Sequence, residues 1–425
     1  MGSVSAPPLP GSGPVGAAVL GQVALGQVVL GYSPMIDRHR AITALRLTVF
    51  ALRPDALPTA DDLVAALAET WPVDAGRVSL NLVGEPLLER VMHAALPVNL
   101  MLEVPAFMAS DLAHAQALAA LYKNGNTLLM TGRPLAPLPR QVLDLFSYSI
   151  IDLADERRDG MPPPGGVSRN IPHVQSAVRT LGDMANAFGR GAIAVLGWPI
   201  DDAAPAGGVS AAGSPASKPR SAQPELQAIV ELINRVDRHE PIERLESVMK
   251  ADPTMAFKLL RYINSPAFGL RVEVASFRHA ILLIGYERLK RWLVLLLAAG
   301  NRDPNCKPVI YAAVRRGLVM EELGRDGGCD DDKRGELFIC GVFSLLDRLM
   351  QQPFAELMRH LPTTEAVRAA LLDQGGPLAP YLALVQAVES AAVHDIRSAA
   401  DSLMMAVPAV NRAVLRALVA ARHLD

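Results

Sequence analysis

Cysteine is scarce: Cys306, Cys329 and Cys340 are the three in 425 residues, and they form no CxxC pair and no regular spacing. That excludes a disulfide framework and fits ordinary thiols in a reducing compartment. Aromatic residues make up 5% of the chain, so a core must be built mainly from Leu, Ala and Val. Neither sign of charge dominates. The 41 Lys and Arg stand against 43 Asp and Glu, for a formal net charge of −2, which argues against a nucleic-acid binder needing a broad basic face. No Walker-type loop, GxSxG elbow or HExxH helix occurs, and the Gly-rich segments read as linkers rather than phosphate cradles. Long apolar runs are missing too. Residues 15–31 lack a basic n-region and are interrupted by Gly21, Gln22, Gly26 and Gln27. The run from Trp292 to Ala299 is far shorter than the roughly 20 residues that span a bilayer. The expectation is a soluble cytoplasmic protein, with neither membrane nor nucleic acid among its partners.

The length accommodates two domains, each with its own core. Residues 201–223 are dominated by small, polar and proline residues that cannot bury a core, and read as a flexible linker. Residues 1–27 read as a disordered or flexible lead-in, with a short repeat in Leu20–Ala24 and Leu25–Val29. Between them, residues 28–200 alternate strand-like runs (Val28–Leu30, Ile42–Phe50, Val78–Val83, Val98–Val104, Thr127–Met130, Ser149–Leu153) with helical patterns (Ala60–Glu69, Glu85–Ala95, Ser110–Lys123, His173–Phe188). Such alternation predicts parallel βα units and a barrel-like α/β domain. Residues 224–425 read as helix throughout, so the fold class is α/β plus all-α.

The most specific pattern lies in the second domain. Asp252 caps a helix opened by Pro253, and Met255, Leu259, Tyr262 and Ile263 form its apolar stripe before Asn264-Ser265-Pro266 ends it. Ser276 caps a second helix closed by Gly285, and Leu289, Trp292, Leu293 and Leu296 mark the buried face of a third. This succession resembles the HDOD family, the HD-related output domain of bacterial signalling proteins. The resemblance implies the helical scaffold of HD phosphohydrolases without their metal ligands. The upstream His falls near Arg316 and the His-Asp pair near Ser344-Leu345, and neither replacement is a competent ligand. His394-Asp395, with His360 upstream and Asp401 downstream, is a literal His-Asp pair but lies too far C-terminal. His279 reads as a structural histidine at a helix start. Leu259, Leu260, Ile263, Leu283 and Trp292 read as core. Lys258, Arg261, Arg271, Arg288, Lys290 and Arg291 form a local basic excess that could serve as a docking surface.

In front of an HDOD domain, residues 28–200 are similar to a shortened EAL domain, the TIM-barrel module that hydrolyses cyclic di-GMP. The order of Tyr32-Ser33-Pro34-Met35-Ile36-Asp37-Arg38, Ser79-Leu80-Asn81-Leu82, Leu100-Met101-Leu102-Glu103 and Gly197-Trp198-Pro199 carries the likeness. Active members hold two divalent cations on carboxylates. Here Arg46 stands where the signature Glu belongs, Thr131-Gly132 replaces the paired aspartates, and the lysine expected near Asp152 is absent. Arg46, Asn81, Glu103 and Asp152 are the remnant of the site. The resemblance implies a non-catalytic signalling protein with no metal and no cofactor, acting through a regulatory protein partner. Two rivals are a cyclic-dinucleotide receptor using the barrel mouth and a metal-dependent phosphohydrolase using His360, His394, Asp395 and Asp401. An exposed strand edge in a degenerate barrel would favour a homo-oligomer.

Overall fold

The computed structural model describes residues 23–134, 138–158, 171–202, 224–251, 277–299, 304–360 and 363–420. The Asp252–Pro266 motif, with Lys258, Leu259, Leu260, Arg261 and Ile263, lies outside the described residues, as do Arg271, Ser276 and the stretch 203–223.

The first domain is a closed barrel of eight strands in sequence order. Strands β1 (Val28–Asp37) and β2 (Ile42–Ala51) form an antiparallel hairpin. Its turn is set by Asp37, whose Oδ1 accepts the N–H groups of His39 and Ala41 at 2.8 Å each. Arg40 completes the reversal at φ 63°. So short a connection permits only an antiparallel pair, because parallel neighbours need a crossover of a dozen residues or more. From β2 onward such crossovers exist. Strands β3 (Val78–Val83), β4 (Leu100–Pro105), β5 (Leu128–Thr131), β6 (Phe146–Asp152), β7 (His173–Ser176) and β8 (Ala194–Leu196) follow in parallel. Strand β8 then closes on β1 in antiparallel sense. Helix α1 (Ala60–Thr70) is capped by Thr59, whose hydroxyl accepts the Asp62 N–H, and buries Leu63, Val64, Ala66 and Leu67. Met35, Ala44, Met101, Leu129, Ile150, Val174, Ala194 and Leu196 fill the lower barrel interior as one apolar cluster.

Three expectations need correction. Residues His173–Ser176, expected to open a helix, are β7; the helix α2 (Leu181–Gly189) begins only behind the Thr180 cap. The lead-in is packed at its end, where Ala24 and Leu25 are buried. Asp201 and Asp202 belong to the barrel rather than the linker: Asp201 Oδ2 accepts Arg179 Nε at 2.7 Å, and Asp202 accepts the Leu181 and Gly182 N–H groups at 2.6 and 3.0 Å.

Among the described residues the second domain is all-helical. The segment Phe277–Ala299 (α3) is broken at Gly285, with φ 75° and ψ 170°, at the glycine the sequence marks as a helix end. Before the break, Ile281 and Ile284 face inward three residues apart, which turns Leu282 and Leu283 outward to 66% and 48% exposure, so Leu283 is not core. Trp292 is buried as expected. Helix α4 (Lys307–Asp326) is buried on nearly all sides and crosses α5 (Asp331–Phe343) at backbone contact. A Cβ at Gly341 would lie 2.5 Å from the Gly317 nitrogen. The C-terminal helices are α6 (Ala379–Ser390), α7 (Val393–Ser402) and α8 (Val407–Ala420). Among the described residues no single helix is long and apolar enough to cross a membrane.

The domains are joined along β1. Pairing with β8 covers only Met35–Asp37, which leaves the outer edge of the first half of β1 without a strand. Asn411 of α8 fills that place. Its Oδ1 accepts the Leu30 N–H at 3.1 Å, and its Nδ2 donates to the carbonyls of Leu25 and Val28 at 2.8 Å each. Trp198 Nε1 donates to the Tyr32 carbonyl at 3.3 Å and to that of Glu389 in α6 at 3.1 Å. Gly31 allows the approach, since a Cβ there would sit 2.7 Å from the Ala391 Cβ. The edge expected to favour self-association is therefore covered by the chain's own helices.

Asn411→Ala leaves one buried N–H and two carbonyls without this partner. It is expected to lower the stability of the full chain by about 3 kcal/mol in urea unfolding; a change below about 0.5 kcal/mol would mean that water replaces the amide without loss.

Candidate functional site

Above the apolar plug, alternation along each strand brings polar residues to the C-terminal end of the barrel, where the loops of such folds carry chemistry. Two residues beyond Ala44 on β2 comes Arg46, and then Thr48; β3 carries Ser79 and Asn81, β4 Glu103, β5 Thr131, β6 Asp152 and β7 Ser176.

Arg46 and Glu103 meet in a forked ion pair. Arg46 Nε donates to both Glu103 oxygens at 2.9 and 3.1 Å, and Nη2 donates to Oε2 at 2.6 Å. The Glu103 side chain is 1% exposed and that of Arg46 20%. Ser79 Oγ adds a third donor, 2.8 Å from Glu103 Oε1. Asn81 stands apart, its Nδ2 at 3.5 Å from Thr48 Oγ1. Asp152 is also separate: Oδ1 accepts the Ala154 N–H at 2.8 Å and Oδ2 faces Ser176 Oγ at 3.5 Å. Of the four candidate residues Arg46, Asn81, Glu103 and Asp152, then, the fold brings together only Arg46 and Glu103. A divalent cation does not fit this donor set. Both oxygens of Glu103 are occupied by donors, a fixed positive charge lies against them, and Thr131-Gly132 offers no carboxylate. Ser79 escaped the sequence reading, although it shares the strand face of Asn81 two residues away.

A second arginine closes the corresponding place in the helical domain. Arg316 on α4 donates from Nε to both oxygens of Glu389 at 2.9 and 3.0 Å, from Nη2 to Oε2 at 2.8 Å, and from Nη1 to Ser344 Oγ at 3.1 Å. The positions read as the lost His and the lost His-Asp pair do therefore converge, but around a guanidinium. Burial disfavours the charged Arg316, yet the attraction of Glu389 outweighs it and raises its pKa above the ordinary value. Glu389 was missed. Its signal was a lone carboxylate on a mostly apolar helix.

Of the rival constellation, the His360 side chain lies outside the described residues. His394, Asp395 and Asp401 are exposed on α7. Among the described residues no three His, Cys, Asp or Glu side chains converge as a metal site. His279 is exposed at the start of α3. Of the basic residues expected as a docking surface, Lys290 is bound to Asp237, and Arg291 forks onto Glu321 at 2.6 and 2.7 Å with its guanidinium 4.2 Å over the Phe338 ring. Arg288 is exposed.

Tyr32 lies beside the Arg316–Glu389 pair, edge-on to Trp198 with ring centroids 5.4 Å apart. Its hydroxyl has no hydrogen-bond partner among the described residues. Burial, and then the charge of Glu389, raise its pKa well above 10.

Residues 223–361 match the HDOD domain family. The cyclic di-GMP phosphodiesterase CdgJ of Vibrio cholerae serotype O1 is 27% identical over 175 residues, which is 41% of this chain and 40% of that protein. The uncharacterized protein YuxH of Bacillus subtilis is 26% identical over 164 residues, 38% of this chain and 40% of that protein. The aligned stretch thus spans about 40% of the length of these curated relatives. Among solved structures, the PaMucR phosphodiesterase in complex with c-di-GMP aligns over 41% of this chain and 96% of its own, at 18% identity and a TM-score of 0.29. The FimX EAL domain of Pseudomonas aeruginosa bound to c-di-GMP aligns over 44% and 95%, at 12% identity and a TM-score of 0.28.

Arg46→Ala strands the buried Glu103 carboxylate and is expected to cost about 3 kcal/mol in chemical unfolding, most of it recovered in the Arg46→Met/Glu103→Gln double variant. An Arg46→Ala protein as stable as the parent would show that the pair contributes nothing. Tyr32→Phe removes a buried hydroxyl and is expected to be neutral or stabilising by up to about 1 kcal/mol. Because folding raises the Tyr32 pKa, its neutral form supports the fold fully below pH 10, and that support is lost as pH climbs towards the folded-state value. Stability measured between pH 9 and 12 should accordingly fall less steeply in Tyr32→Phe than in the parent; equal slopes would count against this assignment.

Proposed function

We propose that this chain, which carries an HDOD domain over residues 223–361 behind a closed eight-stranded barrel, is a non-catalytic bacterial signalling protein. It acts in the cytoplasm through contacts with a regulatory protein, in a network linked to cyclic di-GMP. The observation that carries this reading is the Arg46 guanidinium forked onto Glu103. Hydrolysis of a phosphodiester by this type of barrel needs carboxylates free to hold metal against the substrate, and here the buried carboxylate is neutralised from within. The pairing of Arg316 with Glu389 supports the same reading for the helical domain.

A receptor role is the second reading. It is favoured by the polar ring that remains at the mouth, with Thr48, Asn81, Asp152 and Ser176 around the Arg46–Glu103 pair. In that case the Arg46 fork would be drawn towards a phosphate of the ligand.

Both readings are tested by incubating the full-length protein with cyclic di-GMP and Mg²⁺ or Mn²⁺ and separating the products, alongside calorimetric titration. The expected outcome is no linear dinucleotide, no GMP and no saturable heat. Turnover that disappears in Glu103→Gln would overturn the non-catalytic reading. Saturable binding without turnover would replace the contact-only role with that of a receptor.

A further inference from the structure

Strand β8 ends at the barrel mouth and leads directly into Trp198, which touches the helical domain. At that point the loop after β7 and the end of β8 meet without slack. Gly197 sits at φ 136°, and a Cβ on it would lie 2.2 Å from the Val178 carbonyl oxygen. The Val178 N–H donates to the Leu196 carbonyl at 3.2 Å, and the Gly197 N–H to that of Pro34 on β1 at 3.2 Å. Residues 197–202 are bound to the same loop along their length. The Ile200 and Asp201 N–H groups both donate to the Arg179 carbonyl, at 2.9 and 3.0 Å. Side chains return the contact: Arg179 Nε donates to Asp201, and Asp202 accepts the first two N–H groups of α2. This loop begins just after Ser176, which faces Asp152 in the polar ring of the mouth. Loops at this end of a parallel barrel are the ones that meet ligands and partners.

Trp198 faces the other way. Its one N–H is shared between the Tyr32 carbonyl of the barrel and the Glu389 carbonyl of α6. Its ring stands edge-on to Tyr32 and 6.2 Å, centroid to centroid, from Tyr311 of α4. Glu389 continues the series, because its carboxylate holds the Arg316 guanidinium. This inner end is stiff: the Arg316 and Glu389 side chains are 6% and 5% exposed. Close-packed, hydrogen-bonded interiors pass a displacement on instead of absorbing it.

We propose that residues 197–202 are a relay between the barrel mouth and the helical interior, with Trp198 as its joint. A shift of the loop between β7 and α2 changes how Trp198 seats against Glu389, and with it the Arg316 pair. Such coupling is reciprocal, so loosening the Arg316 pair loosens the loop in turn. The relay concerns the path between the domains, and it stands or falls separately from the proposed signalling role and from any ligand at the mouth.

Hydrogen exchange of the full-length protein, read by mass spectrometry, tests the relay. Asp202→Ala removes the acceptor at the first turn of α2 and leaves the bonds of Trp198 in place. It is expected to speed exchange in peptides spanning the end of α6 by about fivefold or more, with α1 unchanged as the reference. Trp198→Phe keeps an aromatic ring but loses the donor, and adding Asp202→Ala to it should bring no further acceleration in α6. The reciprocal variant Glu389→Gln, which serves even where Trp198→Phe does not fold, should speed exchange at the start of α2 by a similar factor. An Asp202→Ala effect confined to α2, one that spreads equally to α1, or one that persists in Trp198→Phe would each overturn the relay. So would an α2 indifferent to Glu389→Gln.

Discussion

The architecture depends on one bare strand edge. Strand β1 is longer than the strand that closes the barrel against it, so Val28, Leu30 and Tyr32 present backbone groups that no strand covers. Buried N–H and carbonyl groups must find partners, and here side chains provide them: the Asn411 amide and the Trp198 indole. The rest follows from that requirement. Helices α6 and α8 must lie along β1, Gly31 must lack a side chain where Ala391 approaches, and the Glu389 carbonyl becomes the second acceptor for Trp198. The carboxylate of Glu389 then faces Arg316, so the pin that joins the domains also closes the interior of the helical one.

Both interiors have been resolved by the same chemistry. Each domain holds an arginine forked onto a glutamate, with a serine hydroxyl as a further partner: Ser79 donating to Glu103 in the barrel, Ser344 accepting from Arg316 among the helices. A guanidinium is permanently charged and carries donors in a rigid plane, so it satisfies a buried carboxylate without any exchangeable ion. Such pairs hold specific helices and strands in register at a desolvation cost that leaves little net stability. The thiol buried nearby is equally unreactive, since burial and then Glu336 push Cys340 up to about 12.

Much of this could be read from the chain itself, and the failures have physical reasons. The Thr59 cap and the Leu63–Leu67 stripe declare α1, and Gly285 declares a helix end, because caps and periodicity are local. Strands β7 and β8 span four and three residues, too short for a period to register, and Val174-Gln175-Ser176 continues smoothly into a helical pattern. Arg46 and Glu103 were legible as candidate site residues from their places in the order of strands. The solitary Glu389 announced that a partner must exist without saying which.

The sequence by itself determined the α/β and all-α classes and placed Arg46, Arg316 and Ser344 among the positions to watch. These depend on residue type and on spacing within a few turns. Only the tertiary structure decided that Arg316 meets Glu389, 73 residues away, and that Asn411 completes the edge of β1 from 381 residues downstream. Contacts at such separations arise from burying whole faces against one another, and no local pattern encodes which buried polar group will stand opposite which.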